Sequence, residues 1–254
     1  EFEWIYNHYL RGGPAFALPS AWYYFVDVET DERKKLQLEV EFFYNTFDEH
    51  ASYQRQYEVD IRYRPVNALQ IRFNPEYSFE QSRLQYIDTH EANGTNRYIF
   101  GSITRKTLAL TIRMDLNITP ELTVQYYGQP FIGSGDYSSY KYITNPTADA
   151  FSDRYQIIES ENITYDSNSE NYTVNEDNMS YSFDDPDFNF KEFRSNFVAR
   201  WEYRPGSILY AVWTQARSDR TTIGSFRLKR DFNDLYSIFP HNVFLIKLTH
   251  RFAI

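Results

Sequence analysis

The sequence predicts an all-β protein: an antiparallel up-and-down transmembrane β-barrel with about twelve strands in this chain. Three observations carry the prediction. Runs of eight to thirteen residues alternate apolar and charged side chains with period two, as half-buried strands do. Proline-bearing turns join successive runs with few residues to spare. Aromatic residues make up 19% of the 254 residues, with 23 Tyr and 21 Phe, in a chain that is also 24% charged. A barrel strand needs that mixture, one side for lipid and the other for a polar interior.

Strands are expected near residues 2–8, 21–29, 35–47, 53–64, 68–79, 82–89, 96–103, 105–117, 121–131, 190–204, 207–217 and 242–253. In "KLQLEVEFFYNTF" Leu36, Leu38, Val40, Phe42 and Tyr44 share one face, against Lys35, Gln37, Glu39 and Glu41. "YEVDIRYR" sets Tyr57, Val59, Ile61 and Tyr63 against Glu58, Asp60, Arg62 and Arg64. In "LALTIRMDLN" the apolar face is Leu108, Leu110, Ile112, Met114 and Leu116, opposite Thr111, Arg113, Asp115 and Asn117. "FLIKLTHRF" repeats the pattern, with Phe244, Ile246, Leu248 and Phe252 facing away from Lys247, Thr249 and Arg251.

The turns "YRPVNAL", "NITPEL" and "YRPGSI" fall on one side of the sheet, because an even number of strands separates each from the next. The segment 132–189 falls on the other side and forms one long acidic loop, with a small hairpin expected around "YQIIESENITY" and "YTVNEDNMSYSF". From Phe131 to Phe190 there are 12 acids against Lys141 and Arg154, while the remainder carries 23 acids and 24 bases, so this segment holds the net charge of -9. Short turns on one side and long loops on the other are the asymmetry of an outer-membrane barrel. Helices longer than a turn or two are not expected, although "TADAFSDRY" and "DLYSIF" suit short ones. "LRGGPAFALPS" is too irregular for a lipid-facing strand and is expected inside the barrel or over its mouth.

A soluble sandwich would also explain alternation, burying one face and wetting the other. Three features favour lipid. The runs exceed the usual five or six residues of globular strands. Trp22, Tyr23, Tyr24, Tyr63, Tyr126, Tyr127, Trp201 and Tyr203 crowd strand ends, where interfacial girdles lie. The charged face mixes both signs in dense register, as an enclosed salt-bridge lattice requires.

With no cysteine, the chain has neither a disulfide framework nor a thiolate metal site. No run approaches the roughly 18 apolar residues of a spanning helix. The acidic balance argues against nucleic acid as a partner, and the apolar face names outer-membrane lipid instead. The start, "EFEWIYNHY", has no initiator Met, no basic n-region and no apolar h-region, so the chain reads as a mature chain or a piece of a longer one.

The candidates for lining an enclosed interior are Glu39, Glu41, Glu58, Asp60, Arg62, Arg72, Arg113, Asp115, Arg200 and Glu202, with Arg11 from the irregular segment. They line a solute path or form a structural salt-bridge network, and the network is the simpler expectation. Asp184, Asp185 and Asp187, beside Asn189, offer the oxygen ligands that calcium uses. The spacing is not that of an EF-hand, and turn chemistry before Pro186 explains these acids as well. No cofactor is otherwise expected. His8, His50, His90, His241 and His250 have no metal-ligand spacing. "FIGSGDY" lacks the nucleophile-elbow pattern, and no phosphate-loop spacing occurs. The N-x-S/T triplets at Asn93, Asn117, Asn162, Asn171 and Asn178 are what chance gives in a chain rich in Asn and Thr.

The stretches "LRGGPAFALPS", "YIFGSITRKTLALTIRMDLNITPELTVQYYGQPFIGSGDYSSYK", "DFNFKEFRSNFVARWEYRPGSILYAVWTQARS" and "NVFLIKL" resemble the C-terminal barrel region of an uncharacterised Gram-negative outer-membrane family, a domain of unknown function. In that family a sandwich similar to family 9 carbohydrate-binding modules usually precedes the barrel; it is not in this chain, which begins mid-strand, so the resemblance implies the C-terminal portion of a larger protein. The resemblance implies outer-membrane localisation and an extracellular glycan as a partner, and it supplies no catalytic residues. The functional expectation is a non-enzymatic outer-membrane barrel for binding or passage of a solute, with a glycan in view. Two alternatives stand beside it: a membrane-anchored hydrolase of glycan or ester substrates, and a soluble all-β polysaccharide-binding module.

Overall fold

A computed structural model describes residues 4–6, 8–92, 94–176 and 179–252. Residues 2, 3 and 7 of the first expected strand, residue 253 of the last, and Asn93 and Asn178 lie outside the described residues. A short hairpin pairs β1 (Trp4–Tyr6) with β2 (Phe16–Leu18). Then come β3 (Ala21–Glu29), β4 (Leu36–Phe47), β5 (Ser52–Val66), β6 (Leu69–Ala92), β7 (Thr95–Asn117) and β8 (Leu122–Ile143). The acidic insertion contributes β9 (Tyr155–Ile157), β10 (Ile163–Asp166), β11 (Asn171–Glu176) and β12 (Met179–Asp184). The chain closes with β13 (Phe188–Arg204), β14 (Ser207–Thr221), α1 (Leu228–Ser237) and β15 (His241–Thr249).

The main sheet is an antiparallel up-and-down meander in the order β15-β14-β13-β8-β7-β6-β5-β4-β3, with β9 added beside β8. Its two edges are β3 and β15. It has nine long strands where about twelve were expected. The first expected strand belongs to the separate β1–β2 pair. Residues 68–79 and 82–89 are one strand, β6, of 24 residues, and 96–103 and 105–117 are one strand, β7, of 23. The register between them shifts at Ser82/Gln85 and Tyr86/Asp88. Each bulge adds a residue and changes the phase of the alternation, which in sequence looks like the end of a strand.

The proline turns do share one end. They join β5 to β6, β7 to β8 and β13 to β14, with the acidic insertion at the opposite, loop end. Local chemistry explains their tightness. Gly206 adopts φ +76, which its missing Cβ permits, and its N–H donates to Glu202 Oε1 at 2.9 Å. At the middle turn, Thr119 Oγ1 accepts from the N–H groups of Glu121 and Leu122.

At the loop end the sheet is covered on both sides. Phe100 and Ile99 are neighbours in β7 and therefore point to opposite faces. Phe100 packs with Leu10, Phe16, Leu84, Phe151 and Tyr155, so the segment expected inside the barrel or over its mouth lies against the loop end of β6 and β7. Ile99 packs with Tyr140, Tyr142, Ile158, Val174 and Phe183 beneath the three-stranded sheet β10-β11-β12. Helix α1, at ten residues longer than expected, lies over β13 and β14. Its Leu235 and Asp231 are fully buried, and Asp231 bonds Asn189 while Tyr236 meets Phe193.

Toward the turn end no second layer covers the sheet among the described residues, and the apolar face lies bare. On the edge strand Phe244, Ile246 and Leu248 are 74%, 77% and 64% exposed. Cross-strand register joins them to Trp213, Ala211 and Leu209 of β14, and onward through Phe197, Tyr126, Met114 and Ile71 to Tyr63 and Leu36. Of the expected girdle, Trp22, Tyr24, Tyr63, Tyr126 and Trp201 lie on this face, while Tyr23 and Tyr127 alternate onto the other. No helix among the described residues is long and apolar enough to cross a membrane.

Candidate functional site

The polar face of the same strands gathers ten of the predicted residues by register. Glu41, Glu58 and Glu76 sit side by side on β4, β5 and β6, and Asp27 of β3 extends the row. Four residues nearer the turn end of β5, Arg62, Arg72 and Arg113 form a second row across β5, β6 and β7. At about 3.3 Å per residue the two rows are about 13 Å apart along the strands. Like charges directly opposite one another repel, so each row needs partners.

Asp60 provides them for the arginines. Only 5% exposed, it bonds Arg72 and lies 3.3 Å from Arg62, with Glu39 at 4.0 Å from the same guanidinium. Arg113 instead lies over the Tyr127 ring, 5.3 Å from its centre. In the acidic row, Asn74 donates to Glu58 at 2.9 Å and Gln56 to Glu76 at 3.0 Å. Asp115 accepts from Gln125 at 2.9 Å. The face therefore presents separated acidic and basic rows, knitted by amides.

The remaining candidates lie away from these two rows. Arg200 and Glu202 pair at 3.0 Å, and Glu202 also holds Gly206, so this pair braces the proline turn. Arg11 is exposed at the loop end, with φ +48 and its guanidinium 4.4 Å over Tyr86. Asp184, Asp185 and Asp187 turn to different partners: Asn171, the Tyr165 hydroxyl and the Tyr137 N–H respectively. The one trio among the described residues whose ligand atoms converge within 4.8 Å is Asp27, Glu39 and Glu41. A groove of about 720 Å³ adjoins the polar face nearer the loop end, lined in part by Tyr127, Arg194, Asn196, Thr214 and Phe239.

Asp187 and Lys141 are among the loop-end groups with displaced proton affinities. Burial and the carboxylates of Asp185 and Asp136 push Asp187 up to about 6, although its bond from the Tyr137 N–H opposes the rise. Burial and the neighbouring Arg83 guanidinium lower Lys141 to about 8, while its ammonium donates to Arg83 O and Ser102 Oγ.

Asp27, Glu76, Asn74 and Gln56 escaped the sequence reading, and Tyr127, expected in the girdle, lies on the polar face instead. Asp27 alternates with Val26 and Val28 in "FVDVE" and was legible there. Glu76 follows Pro75, where the apolar pattern weakens, and its place in the acidic row appears only once strand register is known.

These features define a class: an all-β, up-and-down sheet with one bare apolar face and one ionic face. The family described as "Domain of unknown function (DUF5916)" matches residues 5–252, and the chain belongs to it. No curated protein and no solved structure matched the chain.

Proposed function

We propose that this chain forms the wall of a bacterial outer-membrane β-barrel that binds or passes a polar solute without chemically transforming it. The single observation that carries the reading is the bare apolar face, continuous over nine strands and without a covering layer toward the turn end among the described residues. In water such a surface far exceeds the few hundred Å² that soluble monomers expose. In lipid it is the wall itself. Lipid also requires every backbone group to be paired, so the outer edges of β3 and β15 must be joined, to each other or to further strands.

On the enclosed side, the acidic and arginine rows set up a transverse field, and Gln and Asn side chains with the Tyr127 ring offer contacts that suit a glycan. The support for solute passage is this lining, and the glycan is the finer part of the proposal. The test uses the full-length protein. Fractionation should place it in the outer membrane, and removal of detergent should aggregate it. A monodisperse protein without detergent would refute the barrel, and a barrel that neither binds oligosaccharides nor conducts ions in planar bilayers would refute the solute role.

A further inference from the structure

On the apolar face, the switch to polar residues at the loop end follows one cross-strand row. Tyr44 of β4 faces Arg55 of β5, Arg55 faces Phe79 of β6, Phe79 faces Lys106 of β7, and Lys106 faces Ser134 of β8. Two cations thus flank one phenyl ring, on strands about 10 Å apart. Lys106 Nζ lies 5.8 Å from the Phe79 ring centre, and the Arg55 guanidinium lies 5.9 Å from Tyr44 and 5.3 Å from Tyr53.

Among the described residues neither cation has a carboxylate within ion-pair distance. This contrasts with the opposite face, where Arg62, Arg72, Arg105 and Arg200 all do. In a chain of net charge -9, two adjacent cations without acids are a specific arrangement. Directly below them, Tyr57, Tyr77 and Leu108 continue the apolar face.

We infer that Arg55 and Lys106, with Phe79 between them, form a binding site for the phosphate of an anionic lipid in the leaflet at the loop end, its acyl chains lying along Tyr57, Tyr77 and Leu108. The inference rests on the membrane reading above. A phosphate accepts hydrogen bonds from guanidinium and ammonium groups that have no acceptor among the described residues, and the apolar strip below matches the chains of the same molecule. Helix α1 covers the same face farther round the sheet, where Lys191 already lies near Asp219 and Asp234, and Phe226 just before the helix packs edge-on against Tyr77, so this segment bounds the acyl strip on one side and leaves it open toward Tyr57.

The experiment places full-length protein carrying Phe79→Trp in phosphatidylcholine vesicles. Brominated acyl chains are supplied on either phosphatidylglycerol or phosphatidylcholine, at equal mole fraction. Quenching of the added tryptophan should favour the anionic lipid by roughly twenty-five-fold in relative affinity, and by about fivefold less after either Arg55→Gln or Lys106→Gln. Near-UV circular dichroism verifies that the variants fold, and the two substitutions report independently. Equal quenching by both headgroups overturns the site while leaving the barrel intact, because Trp22, Trp201 and Trp213 would still be quenched. If neither brominated lipid quenches those native tryptophans, the membrane reading falls, and this site with it.

Discussion

Ile112→Arg discriminates between lipid and water at the apolar face. Ile112 lies in the middle of the run from Leu108 to Leu116, opposite Phe73 of β6 and Gly128 of β8, and is 37% exposed. Eight residue steps of about 3.3 Å make about 26 Å of strand, or about 20 Å of depth at a tilt of roughly 40°. Ile112 is then about 10 Å from either boundary, too deep for an arginine side chain to reach water without distortion. An arginine at the midplane of a barrel wall costs roughly 2–4 kcal/mol. In water the same change at a partly exposed position costs about 1 kcal/mol or less. Thr111→Arg, on the opposite face beside Asn74, is the internal control and should cost under about 1 kcal/mol in either case. Urea unfolding of full-length protein in phospholipid vesicles, followed by tryptophan fluorescence, measures both. If the two variants agree within about 0.5 kcal/mol, the apolar face does not meet hydrocarbon.

Asp60→Asn should destabilise by about 1–2 kcal/mol in the same assay, below the cost of breaking a fully buried pair because Arg62 and Arg72 are more than a third exposed. Adding Arg72→Gln should recover part of that loss, and strict additivity would argue against the pairing. Asp187 has a folded pKa of about 6, above its unfolded value, so its protonated form stabilises the fold; this contribution is full below about pH 4 and lost as pH rises through 6. Asp187→Asn keeps the acceptor for the Tyr137 N–H and should therefore gain about 1 kcal/mol at pH 8, after discounting for solvent screening, and nothing at pH 4, read by thermal unfolding. Gly135→Ala would drive a Cβ into the Phe188 ring across the β8–β13 pair and should cost about 1–3 kcal/mol, relieved in the Phe188→Leu background. A cost unchanged in that background would show that the ring is not what glycine accommodates.

Alternation was legible wherever a strand kept one phase. The faces of β4, β5 and β15, and of β7 from Leu108 to Asn117, follow directly from the identities of their residues. The ends of strands were not legible where the backbone bulged, because Phe79 to Leu84 changes phase without a turn residue between them. Sidedness survived that error, since each wrongly introduced break was matched by a second. The acidic insertion read as a loop from residue 132, yet β8 continues to Ile143: its Gly133 and Gly135 make room for Phe131 and Phe188 rings and do not end the strand. Individual charges of the candidate site were visible in sequence, but the two like-charged rows were not. A row is a property of register among four strands, and no single strand records it.

Strands β6 and β7 pass without interruption from the bare zone into the doubly covered loop end. Their pairing is consequently indexed twice: slippage by one position would turn polar groups outward along one stretch and unseat Phe100 and Ile99 along the other. A hairpin so strongly keyed, and closed by neighbours in the chain, is the natural template on which the later β8 and β13 align. Errors in pairing the rest of the sheet should then be corrected against this ribbon, as marks on a ruler correct a misplaced edge.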